Sequence, residues 1–130
     1  MSMTALDLPP EALKKYRPLA AIGRRKSASA QIRLANRRRR ALQTARKAAE
    51  ILYRDFGAKK VVLFGSLVRR GGFTQWSDID LAAQGISSAR FFEAVGAVTG
   101  ISPEFKIDLV DISTCVPSLR KKIGDEGKEI

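Results

Sequence analysis

Apolar residues recur at Leu42, Ala45, Ala49, Leu52 and Phe56, with spacings of 3, 4, 3 and 4. That period marks one face of an α-helix. Gly57 follows where a helix-ending C′ glycine belongs. The stretch from about Leu19 to Phe56 is rich in Ala, Leu, Arg, Lys and Gln, all good helix formers. Upstream, Pro9-Pro10-Glu11 reads as a helix start, and Pro18 interrupts or restarts it. Gly23 and the Ser27/Ser29 region are weak points, so the pattern fits one long helix or two.

Beyond Gly57 the period changes. Val61-Val62-Leu63-Phe64 is a short continuous apolar run, as in a strand buried on both faces. Ser77 to Ala83 is a second strand candidate, and Phe105 to Ile112 a third. Between them, Ala89 to Gly100 reads as a helix closed by glycine. Pro117 to Ile123 starts a last short helix, and GDEGKEI ends the sequence. Strands alternating with helices predict an α/β (α+β) domain. The expected organisation is a basic helical arm over residues 1–56 and a compact domain over 57–130.

Charge sharpens that division. Of the net +11, residues 1–60 carry 16 Lys/Arg against 4 Asp/Glu, whereas residues 61–130 carry 8 against 9. The first segment is the one suited to an acidic partner or RNA, although Arg37 to Arg40 go around the helix and cannot all face one partner. It has no recognised RNA-binding motif and no interleaved aromatics, so only non-specific RNA contact fits. Its apolar face could dock on a partner or a second copy of the chain, or be covered by the chain's own sheet; the latter is preferred for the C-terminal half. Cys115 is the single cysteine, which excludes an internal disulfide and points to a reducing cytoplasm. No apolar run reaches membrane-span length, and the N-terminal residues do not read as a signal peptide. Histidine is absent, so any metal must be held by oxygen ligands.

Two aspartates, Asp78 and Asp80, stand two residues apart in the second strand candidate and share one face. Ile79 and Leu81 point the other way, toward the core. In the third strand candidate, Asp108 lies opposite Phe105, Ile107 and Leu109. If these strands are neighbours, three carboxylates converge on one patch of the non-core face. Such a group is relieved by raised pKa values, basic partners or a bound cation. Carboxylate clusters suit Mg²⁺ or Mn²⁺ that also hold substrate phosphates. A solvated strand face accounts for the same three residues. Asp111 has the opposite parity to Asp108 and reads as a strand-end or turn residue. Gly65-Ser66 ends the first strand candidate. It is either an ordinary turn with Ser66 capping the next helix or a phosphate-holding turn. Arg69 and Arg70 either reach phosphates or are plain surface residues. Phe73 and Trp76 are loop anchors or a base-stacking surface, with anchoring preferred.

The combination is more specific than its parts. FGS at 64–66, eleven residues between Ser66 and Asp78, SDID at 77–80 and then KIDLVD at 106–111 resemble the nucleotidyltransferase superfamily that includes DNA polymerase β. The nearest likeness is to the minimal nucleotidyltransferases (MNT) of prokaryotic HEPN–MNT toxin–antitoxin pairs, over Lys59 to Ile130. The resemblance implies a small mixed sheet packed by helices, preceded here by the long basic helix or helical pair. It implies that Gly65 and Ser66 hold nucleotide phosphates, and that Asp78 and Asp80 bind two metal ions, Mg²⁺ or Mn²⁺. Asp108 would be the third carboxylate, which ligates the catalytic metal and helps deprotonate the attacking hydroxyl. Arg69 matches the basic position of GSxxRG versions of the motif, though here a second Arg and a doubled glycine follow.

The activity implied is transfer of a nucleoside monophosphate from a nucleoside triphosphate, ATP on this resemblance, to an acceptor hydroxyl. Little chain follows the third strand from which to build an acceptor pocket, so the acceptor is expected on a partner protein. The family precedent is AMP transfer to a tyrosine of the HEPN toxin, a ribonuclease. The competing readings are a non-catalytic binding antitoxin of the same fold and an enzyme that modifies a small molecule such as an antibiotic.

Overall fold

A computed structural model describes residues 10–130, with side chains described from Ser27 onward. Helix α1 runs from Pro10 to Phe56. It is followed by β1 (Lys60–Phe64), a 3₁₀ turn (Gly65–Leu67), β2 (Ile79–Gln84), α2 (Ser88–Thr99), β3 (Ile107–Asp111), α3 (Pro117–Glu126) and β4 (Lys128–Glu129). Each predicted strand and helix is present to within a few residues. Pro9 of the predicted helix start lies outside the described residues. Pro18 and Gly23 do not divide α1. The chain separates between Asn36 and Arg37 into two units, and the second, Arg37–Ile130, contains the sheet. In the first, every described side chain from Ser27 to Arg33 is exposed.

The sheet is mixed, in the order β3-β2-β1-β4. β1 runs antiparallel to both β2 and β4, and β2 runs parallel to β3. α2 makes the crossover that a parallel pair requires. β4 was not foreseen. It is two residues long, too short to show a period, and is recognisable only from its pairing with Val62 and Leu63.

β1 is buried on both faces, as its continuous apolar run predicts. On one face, Val62 and Phe64 join Ala82 and Ile123 in a small core, with Val110, Ile112, Cys115 and Leu119 packed around it. α3 is the cover on that side. The face expected to be free of core therefore carries a second core, and the acidic residues sit at its edge.

The opposite face presents Val61, Leu63, Ile79, Leu81, Ala83, Ile107 and Leu109, all buried. The α1 stripe that belongs with them is also buried: Ala41, Ala45, Ala48, Ala49, Leu52 and Phe56, with Leu42 only partly covered. The C-terminal half of α1 is thus covered within its own unit. Alanines make up most of this buried stripe, with Leu52 and Phe56 as its large residues. Gly57 closes the helix at φ +68°, a conformation open mainly to glycine.

The arginine run is more engaged than its charge alone suggests. Arg37 and Arg40, one helical turn apart, both meet Glu104, at 3.5 and 2.7 Å. Arg37 also lies over the ring of Phe105, 4.5 Å from its centroid. Arg38 donates to the Leu67 carbonyl at 3.0 Å. Arg37, Arg38 and Arg40 therefore hold parts of the Arg37–Ile130 unit together. Among the described residues no helix is long and apolar enough to cross a membrane.

Leu52 is fully buried where α1 meets the core. Leu52→Ala is expected to cost about 2–5 kcal/mol in an equilibrium denaturant titration, whereas Arg46→Ala, at an exposed position of the same helix, should change stability little.

Candidate active site

β1 ends at Phe64, and the chain turns sharply through Gly65 at φ +78°. The Gly65 carbonyl accepts from the N–H groups of Val68 and Arg69, each at 3.2 Å. Phe64, not Ser66, occupies the cap position of this turn, and no side chain caps it. Ser66 lies inside the turn and is partly exposed, so its expected capping role does not hold.

Strand register places the acids. Phe64 is opposite Asp80, and Asp80 is opposite Asp108. Side chains in register share a face, so the two carboxylates are neighbours across β2 and β3. Asp78 lies just before β2 begins at Ile79, rather than inside the strand. It acts electrostatically on Asp80 from there. Asp111, of opposite parity, accepts from the Ser113 N–H and hydroxyl at 3.0 and 2.6 Å, as a turn residue should.

Gly65 and Asp80 are in direct contact. A Cβ on Gly65 would run into the Asp80 carboxylate. Glycine is therefore required twice over, for the positive φ and for the space. The glycine–serine turn and the D-x-D pair are thus parts of one packed object.

Burial pushes the Asp80 carboxyl above its usual range, and the negative charges of Asp108 and Asp78 push it further. Lys122 and Arg69 oppose this without cancelling it. Lys106 lies 3.8 Å from Asp108, but Lys106 is exposed and Asp108 is only half-buried, so the pair is weak. Among the described residues no three acidic or thiol side chains stand close enough to hold an ion by themselves. Mg²⁺ commonly takes only one or two protein carboxylates and completes its shell with water and substrate phosphates. An all-oxygen donor set under mutual repulsion, with a glycine turn against it, fits such an ion.

The loop between the turn and β2 is ordered by its own polar groups. Ser77 Oγ accepts the Thr74 N–H at 2.8 Å, and the Ser77 N–H donates back to the Thr74 carbonyl at 3.1 Å. Phe73 is buried and anchors the loop. Trp76 is 81% exposed, so it is not an anchor. Arg69 and Arg70 are both exposed, and only Arg69 is felt at Asp80. Sequence reasoning missed Lys122 and Glu126 of α3. The Glu126 carboxylate accepts the Gly65 N–H at 3.3 Å. No motif marks these residues, and only the way α3 folds back over β1 brings them to the site.

With this geometry, residues 46–130 match the "Polymerase beta, Nucleotidyltransferase" family, and the chain belongs to it. Solved structures similar to it include toxin–antitoxin complexes. One contains AMP-PNP; it is 24% identical, with 64% of this chain and 69% of that chain covered and a TM-score of 0.53. A second is MntA–HepT, at 20% identity, 68% and 69% coverage and a TM-score of 0.51. A third is a tri-AMPylated Shewanella oneidensis HEPN toxin in complex with its MNT antitoxin, at 22% identity, 68% and 70% coverage and a TM-score of 0.51. At these identities the likeness establishes the fold. No curated protein matches the sequence.

The raised Asp80 carboxyl gives a signed prediction. A carboxyl whose pKa is higher folded than unfolded favours the fold while protonated, below the ordinary carboxylate range. That contribution is lost as pH rises through the folded value. Asp80→Asn should therefore melt higher than wild type at pH 7, and the gap should close as pH falls below about 4. Thermal melts across that range, without divalent ions, read this directly.

Proposed function

We propose that this chain transfers AMP from ATP to a hydroxyl group on a partner protein, and that the partner is a HEPN-type toxin silenced by the modification. The observation that carries this reading is the contact of Gly65 with Asp80, in register with Asp108, in a member of the nucleotidyltransferase family. The neighbouring complexes with AMP-PNP and with an AMPylated toxin support the donor and the acceptor class.

Each residue has a part. Gly65 and Ser66 hold the phosphates of the nucleotide, with Arg69 at the exposed rim. Asp78, Asp80 and Asp108 would hold two Mg²⁺ or Mn²⁺ ions together with the nucleotide phosphates. Those ions would neutralise phosphate charge and favour ionisation of the attacking hydroxyl. Asp108, the third carboxylate, takes the proton as the acceptor oxygen attacks the α-phosphorus. A new P–O bond forms, the bond to the bridging oxygen breaks, and pyrophosphate leaves with the electron pair. Among the described residues, Asp78, Asp80 and Asp108 are only partly covered. The partner protein supplies both the hydroxyl and the cover.

The test is direct. Incubated with ATP, Mg²⁺ and the protein encoded by its genomic neighbour, the chain should add one or more adenylyl groups to that protein, seen by intact-mass spectrometry. Asp78→Asn combined with Asp80→Asn should abolish the addition. Absence of the adduct with wild type, or its persistence in the double variant, would contradict the assignment.

A further inference from the structure

α3 follows the last acidic strand and belongs to no motif, yet one edge of it reaches the site. The helix is seated by Ile123 and Leu119 against Val62, Phe64 and Ala82. Gly127 closes its end, donating to the Ile123 carbonyl at 2.8 Å. A Cβ on Gly127 would strike both that carbonyl and the Val62 side chain, so the helix end is tightly fitted onto β1. This seating brings the partly buried Glu126 to the Gly65 N–H at 3.3 Å. Gly65 in turn touches the Asp80 carboxylate. Glu126, Gly65 and Asp80 form a continuous line of contact from three distant segments. Lys122, one helical turn before Glu126, lies on the same edge of α3.

We propose that Glu126 is a positioning residue for nucleotide binding: its carboxylate fixes the Gly65-Ser66 turn, and through it the place of the Asp80 carboxylate. The role rests on the nucleotide-transfer reading above and adds to it an element outside the family's signature residues. Without the Glu126 acceptor, the Gly65 N–H loses its partner and the turn is free to tilt away from Asp80. The phosphate-holding turn and the cation-holding carboxylate then lose their fixed separation. The field at Asp80 supports the same placement, since Lys122 acts on it from this edge.

The test uses the full chain and Mg²⁺–AMP-PNP, with affinity read by calorimetry and the Gly65 amide by ¹⁵N–¹H spectra. Glu126→Ala should weaken binding roughly ten- to hundredfold, the usual cost of removing a group that orients a ligating residue. Glu126→Gln keeps an oxygen acceptor and should restore most of that affinity. Asp125→Ala, at an exposed neighbouring position, is the control and should bind as wild type does. The Gly65 cross-peak should move in Glu126→Ala and stay near its place in Glu126→Gln. A Glu126→Ala protein that binds like wild type overturns the role, as does a loss that follows melting temperature alone in both Glu126 variants. A wild-type chain that binds no AMP-PNP overturns the nucleotide reading itself, and an unmoved Gly65 cross-peak in Glu126→Ala overturns the Glu126 contact independently.

Discussion

The site depends on one close approach, that of the Gly65 backbone to the Asp80 carboxylate. Only a residue without a Cβ allows it, and only a sheet that pairs Phe64 with Asp80 produces it. The consequence is electrostatic. Asp80 is partly removed from water beside two other carboxylates, which raises the free energy of its charged form. A protein selected for stability alone would not keep that arrangement. A divalent cation would relieve it, and phosphates would supply the cation's remaining ligands.

The rest of the Arg37–Ile130 unit serves this contact. One face of the sheet is closed by the alanine-rich end of α1, and the other by α3. The second core is small, and the acids lie where it stops. This explains how the carboxylates are at once partly buried and open to a ligand. The arginines at 37, 38 and 40 tie α1 to Glu104 before β3 and to Leu67 at the end of the 3₁₀ turn, the two segments that flank the site. The basic run is therefore partly a structural brace, and its charge is not wholly available to a partner.

Much of this was legible in the sequence. The period of Leu42 to Phe56 and the unbroken Val61–Phe64 run identified the helix and the central strand, because burial on one face or both leaves a period. The parity of Asp80 and Asp108 predicted a shared face, and parallel pairing of β2 with β3 makes them neighbours. What could not be read depends on contacts between distant segments. β4 is too short to have a period, and Glu126 reaches Gly65 only once α3 has settled on β1. Phe73 and Trp76 are both aromatic and three residues apart, yet only the first is buried, a difference that loop geometry alone decides. The Ser66 cap failed for a local reason: a three-residue 3₁₀ turn starting at Gly65 shifts the cap position back to Phe64.

The central claim is that the charge strain at Asp80 is a cation site completed by nucleotide. Titration with Mn²⁺ followed by electron paramagnetic resonance, with and without AMP-PNP, measures this most directly. The account predicts weak Mn²⁺ uptake by the chain alone, strong uptake when AMP-PNP is present, and loss of that gain in Asp80→Asn. Uptake that ignores the nucleotide, or that survives Asp80→Asn unchanged, would contradict it.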